Sequence, residues 1–251
     1  GAFSEHLTSP ERRGLTGEEI NEEQAKKIAI DFIGEEKIEE ININGFSENG
    51  NIPSYDFYVK MKNGEKGNNA SISISKKGGH LVYAMYNKEV QAESIKESDA
   101  VQIGKEFLQQ KGYSNMKETY YVKEQGILTI NYAYMQGDVI MYADLIKVKV
   151  ALDNGEILGV ESTGYLNSHY ERDLPQIKIT KEQAQEKLNK NLEISSIGLA
   201  MIPTEYQTEV YCWEFKGTIK ERNFLVYINT QTGVEEDILV ILDTPEGTLT
   251  M

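Results

Sequence analysis

A single cysteine, Cys212, among 251 residues excludes an intrachain disulfide and any zinc site built from cysteine pairs. It leaves the compartment open, because an exported protein can be built without disulfides. Histidine is nearly as scarce. His6, His80 and His169 fall in three separate stretches, so no two share one element at metal-ligand spacing. Positive charge is also short: 26 basic against 40 acidic side chains give a formal charge of -14, which repels phosphate backbones and anionic lipid surfaces and argues against nucleic acid as a partner. No run of about 18 apolar residues occurs, and the residues after Gly1 lack the charged-then-apolar order of a signal peptide. A sequence that opens on Gly rather than Met reads as a piece of a longer chain, from which any signal or anchor has been removed.

Catalytic signatures are missing too. H-E-x-x-H, G-x-S-x-G, P-loop and G-x-G-x-x-G patterns do not occur, and the clustered glycines stand at hairpin positions, where positive φ explains them. Adjacent acids such as Glu235 and Glu236 point to opposite faces of a strand and make no acid-base pair. Asp153-Asn154-Gly155-Glu156 lacks the remaining ligands of a calcium loop and reads as a hairpin. Cys212, between Tyr211 and Trp213 in a strand-like run, reads as a small buried side chain. No catalytic, cofactor-binding or metal-ligating residue is therefore expected, and no cofactor.

What the chain does hold is a repeat. The phrase IKESDAVQIGKEFL at Ile95–Leu108 aligns without a gap on INEEQAKKIAIDFI at Ile20–Ile33, matching Ile95 with Ile20, Ala100 with Ala25, Ile103 with Ile28 and Phe107 with Phe32. A looser third copy, ITKEQAQEKLNKNL, begins at Ile179. Each phrase places apolar residues at helical spacing. Asn21 with Gln24 has the spacing of a capping box, and Ile20 with Ala25 that of a hydrophobic staple.

After each helix the period changes from about 3.6 to 2. Asn49-Gly50, Asn63-Gly64 and Gly78-Gly79 divide the first stretch into strands near 41–47, 55–61, 70–75 and 80–86. The second unit repeats the order, with a helix near 97–111 and strands near 116–123, 127–135, 139–151 and 157–163. The third has a helix near 181–191 and strands near 196–202, 209–216, 224–229 and 234–242, and its ending TPEGTLTM is expected to fold back on the last strand. Helix and final hairpin keep nearly the same separation in the first two units and lose a few residues in the third.

The expected fold is α+β: three tandem domains, each one helix packed on a four-stranded antiparallel sheet. Residues 1–19 form a tail or linker, ordered on contact. The domains cover 20–93, 94–165 and 178–251, with a connector at 166–177. Units of about 75 residues have thin stability margins, so neighbours should lean on one another. They are nonetheless far longer than solenoid repeats, so each is expected to own a core.

The distinctive stretch is STGYLNSHYERDLPQ at Ser162–Gln176. Tyr165, His169, Tyr170 and Arg172 within it are the types favoured at protein interfaces, and two readings stand for them: contacts to a partner, or glue between units two and three.

The repeated helix with its EQA or SDA phrase, followed by four strands closing on D-N-G or T-G turns, resembles the PepSY domain. The connector GYLNSHYERDLP and the ending LVYINTQTGVEEDILVILDTPEGTLTM resemble more narrowly the YpeB family of spore germination proteins. That resemblance implies a non-enzymatic protein, needed for germination, that works beside a cortex-lytic peptidoglycan hydrolase of the SleB type. The setting is the spore, at the outer side of the inner membrane, with membrane attachment only through an amino-terminal anchor region outside this sequence. Direct binding of cortex peptidoglycan is one alternative. A carboxylate-based cortex hydrolase or peptidase is another, which needs two carboxylates about 5 to 9.5 Å apart in a cleft with one pKa shifted.

Overall fold

The protein is described here by a computed structural model covering Phe3 and residues 11–49, 51–62, 69–206, 208–244 and 247–250. The Asn63-Gly64 turn, Gly50 and His6 lie outside the described residues. Helix α1 (Glu22–Ile33) precedes strands β1 (Ile38–Asn49), β2 (Ile52–Met61), β3 (Asn69–Ser75) and β4 (Leu81–Tyr86). Helix α2 (Glu97–Gln110) precedes β5 (Met116–Glu124), β6 (Ile127–Gln136), β7 (Val139–Ala151) and β8 (Ile157–Glu161). Two short helices, α3 (Thr163–Ser168) and α4 (Lys181–Gln185), lead to β9 (Glu193–Pro203), β10 (Glu209–Ile219), β11 (Arg222–Asn229), β12 (Glu235–Thr244) and β13 (Gly247–Thr250).

The capping box forms as the spacing requires. Gln24 N donates to Asn21 Oδ1 at 2.8 Å, and Asn21 N donates to Gln24 Oε1 at 2.9 Å. Thr180 and Gln183 repeat the device at the start of α4. That helix is shorter than the expected 181–191. Asn189 Oδ1 accepts from Asn191 N at 2.8 Å, a local side-chain turn that competes with helical hydrogen bonding. The connector carries a helix, α3, that its composition did not announce. The ending folds back on β12 through pairs from Ile241 with Thr250 to Thr244 with Gly247.

Among the described residues, the thirteen strands do not make separate sheets. They lie in one, in the order β1-β2-β3-β4-β8-β7-β6-β5-β13-β12-β11-β10-β9. The first seam pairs Tyr83, Ala84 and Met85 of β4 with Glu161, Val160 and Gly159 of β8. The expectation of one core per unit fails at this seam. Ala25, Phe57 and Ile72 of the first unit share a single apolar cluster with Ala100, Leu108 and Val160 of the second, and the repeat-equivalent rings Phe32 and Phe107 meet edge to face at 5.7 Å. A continuous backbone ladder lets side chains on one face pack across it, so the sheet merges what the repeat divides. The third unit keeps its own helix-side cluster, with Ala184, Leu188, Phe215 and Ile228.

The repeat also preserves one contact. Gly79 and Gly155, both at positive φ, sit beneath isoleucines of the preceding helix segment: a Cβ on Gly79 would meet Ile28 Cδ1 at 2.6 Å, and one on Gly155 would meet Ile103 Cδ1 at 2.9 Å. The turn therefore needs glycine both for its backbone and for the helix above it. Residues 11–20 dock rather than trail. Gly78 N donates to Glu18 O, Ile20 N to Lys76 O, and His80 Nε2 lies 2.6 Å from Thr16 O.

Gly104 in α2 gives a test of this packing. Tyr132, fully buried, donates its hydroxyl to Val101 O at 2.7 Å, and a Cβ on Gly104 would lie 2.2 Å from that hydroxyl. Replacing an interior helix glycine by alanine ordinarily stabilises by up to about 1 kcal/mol. Here Gly104→Ala is expected to destabilise by about 1–3 kcal/mol through overpacking, and adding Tyr132→Phe should recover part of the loss, both read from urea unfolding.

Candidate functional site

Strand β7 is the branch point of the sheet. Ala133 pairs with Leu145 and Tyr134 with Met141, so Tyr142, Ala143 and Asp144 are left out of register as a bulge. Before the bulge, Val139–Met141 also takes β9 as a parallel neighbour, at Leu199–Met201; after it, β7 turns to β8. The bulge aims Asp144 at the connector and Tyr142 at the third unit.

Asp144 has no exposed surface, and Arg172 of the connector is 4% exposed at its side chain. Arg172 NH1 donates to Asp144 Oδ2 at 2.6 Å and NH2 to Oδ1 at 2.8 Å, a bidentate pair. The same guanidinium reaches β10, where Nε donates to Glu209 Oε1 at 3.0 Å and NH2 to Oε2 at 3.1 Å. Its backbone is held as well: Arg172 N donates to Gln136 Oε1 at 2.9 Å, and Gln136 Nε2 donates to Arg172 O at 2.8 Å. One side chain thus ties the β7 bulge, the end of β6 and the third unit together.

An aromatic group surrounds it. His169 Nδ1 lies 2.9 Å from Asp144 Oδ2; its ring stacks on Tyr165 at 4.2 Å and meets Tyr134 edge-on at 4.5 Å. Arg13 and Arg172 lie over the ring of Tyr170 at 4.1 and 4.5 Å. Tyr134 donates to Glu171. Helix α3 reaches this place because Gly164 allows it: a Cβ there would stand 3.1 Å from Leu145 O.

Burial pulls the Arg172 guanidinium pKa down, but hydrogen bonding and charge from Asp144, then Glu209, outweigh it and raise it. Tyr134 is pushed up to about 12, first by burial and then by the Glu171 hydrogen bond and charge. Beyond the bulge, Tyr142 and Tyr227 both donate to Glu214, against Phe3 at 5.0 and 5.4 Å between ring centroids. Burial first, and Glu214 among the further causes, holds both phenols well above their ordinary value. Cys212 is fully buried, and burial raises its thiol.

The structure brings Tyr165, His169, Tyr170 and Arg172 into one cluster. Arg172 faces inward, its charge taken by Asp144 and Glu209; the other three are half-buried. Asp144, Glu209 and Glu214 escaped the sequence reading. A signal for Asp144 was present: an acid inside the apolar run VIMYADLIKV of a central strand calls for a buried cation. Among the described residues no group of three or more His, Cys, Asp or Glu could hold a metal.

The chain is a mixed α+β protein with PepSY domains: the family model described as "Peptidase propeptide and YPEB domain" matches residues 178–239. The model "YpeB sporulation, PepSY1 and PepSY2 domains" matches residues 1–175, and the chain belongs to the YpeB sporulation protein family. It is 33% identical to a sporulation protein YpeB of Bacillus subtilis over 92% of this chain and 52% of that protein. With the YpeB of Halalkalibacterium halodurans it shares 31% identity over 94% of this chain and 52% of the relative. The chain thus spans about half the length of these curated relatives. It is similar to the solved Bacillus megaterium YpeB C-terminal domain, with a TM-score of 0.79 and 28% identity, covering 89% of this chain and 99% of that one.

Two outcomes test the joint. Arg172→Ala takes the guanidinium from the buried Asp144 and leaves it the imidazole of His169, and should cost about 3–5 kcal/mol in urea unfolding; Glu209→Gln, at a site 20% exposed, should cost only about 1 kcal/mol. The raised tyrosines set the alkaline limit. A folded pKa above the unfolded value gives stability that is complete below the unfolded pKa of 10.0 and is lost as pH rises toward about 12. Loss of sheet circular dichroism should therefore set in within that window, not earlier.

Proposed function

We propose that this chain is a non-enzymatic partner of a spore cortex-lytic hydrolase of the SleB type, which it holds and stabilises at the outer side of the spore inner membrane. The observation that carries the reading is membership of the YpeB sporulation family. The structure adds support of a physical kind. The charged groups of the bulge are bonded to one another, Arg172 to Asp144 and Glu209, an arrangement suited to holding shape more than to moving protons. A single sheet of thirteen strands offers a large, stiff surface for a protein partner.

Within it we read three PepSY units, at 20–93, 94–165 and 178–251, joined by the connector at 166–177. The contact role goes to the half-buried rings Tyr165, His169 and Tyr170, with Arg172 fixing them from beneath. Attachment to the membrane falls to the amino-terminal part of the longer protein.

The purified chain, with that amino-terminal region restored, is expected to form a stoichiometric complex with the hydrolase in analytical ultracentrifugation and to alter its release of muropeptides from cortex. No complex and no effect would refute the partnership. Muropeptide release by the chain alone would refute its non-enzymatic character.

A further inference from the structure

Away from the β7 bulge, a cavity of about 250 Å³ opens over the seam between β4 and β8. The C-terminal ends of α1 and α2 wall it through Phe32, Ile33 and Phe107, and Met61, Tyr86 and Ile157 complete the sides. Ala70 and Ala84, both on the helix-facing side of the sheet, leave the floor low. The seam explains the space. β4 and β8 pair over only three positions, and the two helices belong to different repeats, so no single helix covers the junction.

Charge marks the mouth. Lys37 lines the cavity, and Lys111 Nζ stands 5.1 Å from the ring centre of Phe32 and 5.9 Å from that of Phe107. The one acid in the lining, Glu156, is already held by Lys88 at 3.1 Å. Among the described residues, neither Lys37 nor Lys111 makes an ion pair within 4.0 Å. Two ammoniums without carboxylate partners, one in the lining and one over the phenylalanine rings that wall it, accompany an apolar slot on a chain of formal charge -14.

The floor has little to offer a peptide backbone. Ala70 pairs with Val59 and Tyr86, and Ala84 with Ile72 and Val160, so both sides of each residue are engaged within the sheet. An occupant that brings amide groups would leave them without partners, at a cost that a hydrocarbon avoids. The volume is small for a drug-sized molecule and suits one chain.

We propose that this slot binds a free single-chain fatty acid, with the hydrocarbon between Phe32, Phe107 and the alanine floor and the carboxylate at Lys37 and Lys111. The site is independent of the hydrolase partnership, and its failure would leave that reading untouched.

Decanoate titrated into the folded chain tests it, by calorimetry and by NMR of the Ala84 methyl and the Phe32 and Phe107 rings. Expected are saturable one-site binding below the micellar range, shifts confined to those groups, and decanol bound at least tenfold more weakly. Lys37→Glu with Lys111→Glu, both exposed side chains, should weaken decanoate at least tenfold while circular dichroism shows the fold retained; Ala84→Leu should fill the slot and abolish binding. The proposal is overturned if decanoate does not saturate, if decanol binds equally, if the shifts lie elsewhere, or if the charge-reversed variant binds normally. It is also overturned if a decapeptide with an apolar carboxyl terminus, or vesicles of phosphatidylglycerol, displace decanoate at lower concentration than its own affinity. Should Ala84→Leu not fold, the charge-reversed variant still decides.

Discussion

A carboxylate without exposed surface is the constraint on which this molecule turns. Asp144 sits in the bulge of β7, where removal from water would cost several kcal/mol if its charge stood alone. Arg172 cancels that charge, and by geometry it does more. The bidentate fork uses two nitrogens on Asp144 while the remaining directions reach Glu209 on β10 and the carbonyl of Tyr170. A lysine could neutralise but not span these three partners in one plane. The buried acid thus ties the β7 bulge to the connector, and through Arg172 to the third unit.

The same bulge serves two directions at once. Ala143 is small and buried, which lets α3 approach, while Tyr142 turns to Glu214 and Tyr227. The β7 segment therefore meets the third unit through a charged contact on one side and an aromatic one on the other. Apolar side chains close the gap, with Val139, Met141, Met201 and Tyr211 in one cluster. Interfaces between small domains are ordinarily modest and mobile; here backbone pairing, a buried ion network and apolar packing act together, and the sheet continues through both seams.

Much of the local structure was legible in the sequence, because local signals are written in neighbouring residues. Asn21 with Gln24 announced the start of α1, and β7 runs over Val139–Ala151 within the bounds read for it, whereas the Thr180–Gln183 box, of the same spacing, went unread. The truncation of α4 was not legible, since Asn189 and Asn191 compete with a helix only once the chain turns there. Nor was the merging of units. A β edge pairs through backbone groups that every residue carries, so nothing in Tyr83–Met85 names Gly159–Glu161 as its partner. The connector stood out by its composition, yet its role needed Asp144, a residue 28 positions away from Arg172 whose significance lies in burial and not in spacing.

The Asp144–Arg172–Glu209 contact ties unit two to unit three, and with it in place the two should move as one body. The most direct measurement is the distance distribution between spin labels on two exposed positions, Gln109 of α2 and Lys187 in the turn after α4, in the native chain and in Arg172→Ala. A single narrow distribution that broadens in the variant is the predicted result. A broad distribution in the native chain, or a narrow one that the substitution leaves unchanged, would contradict it.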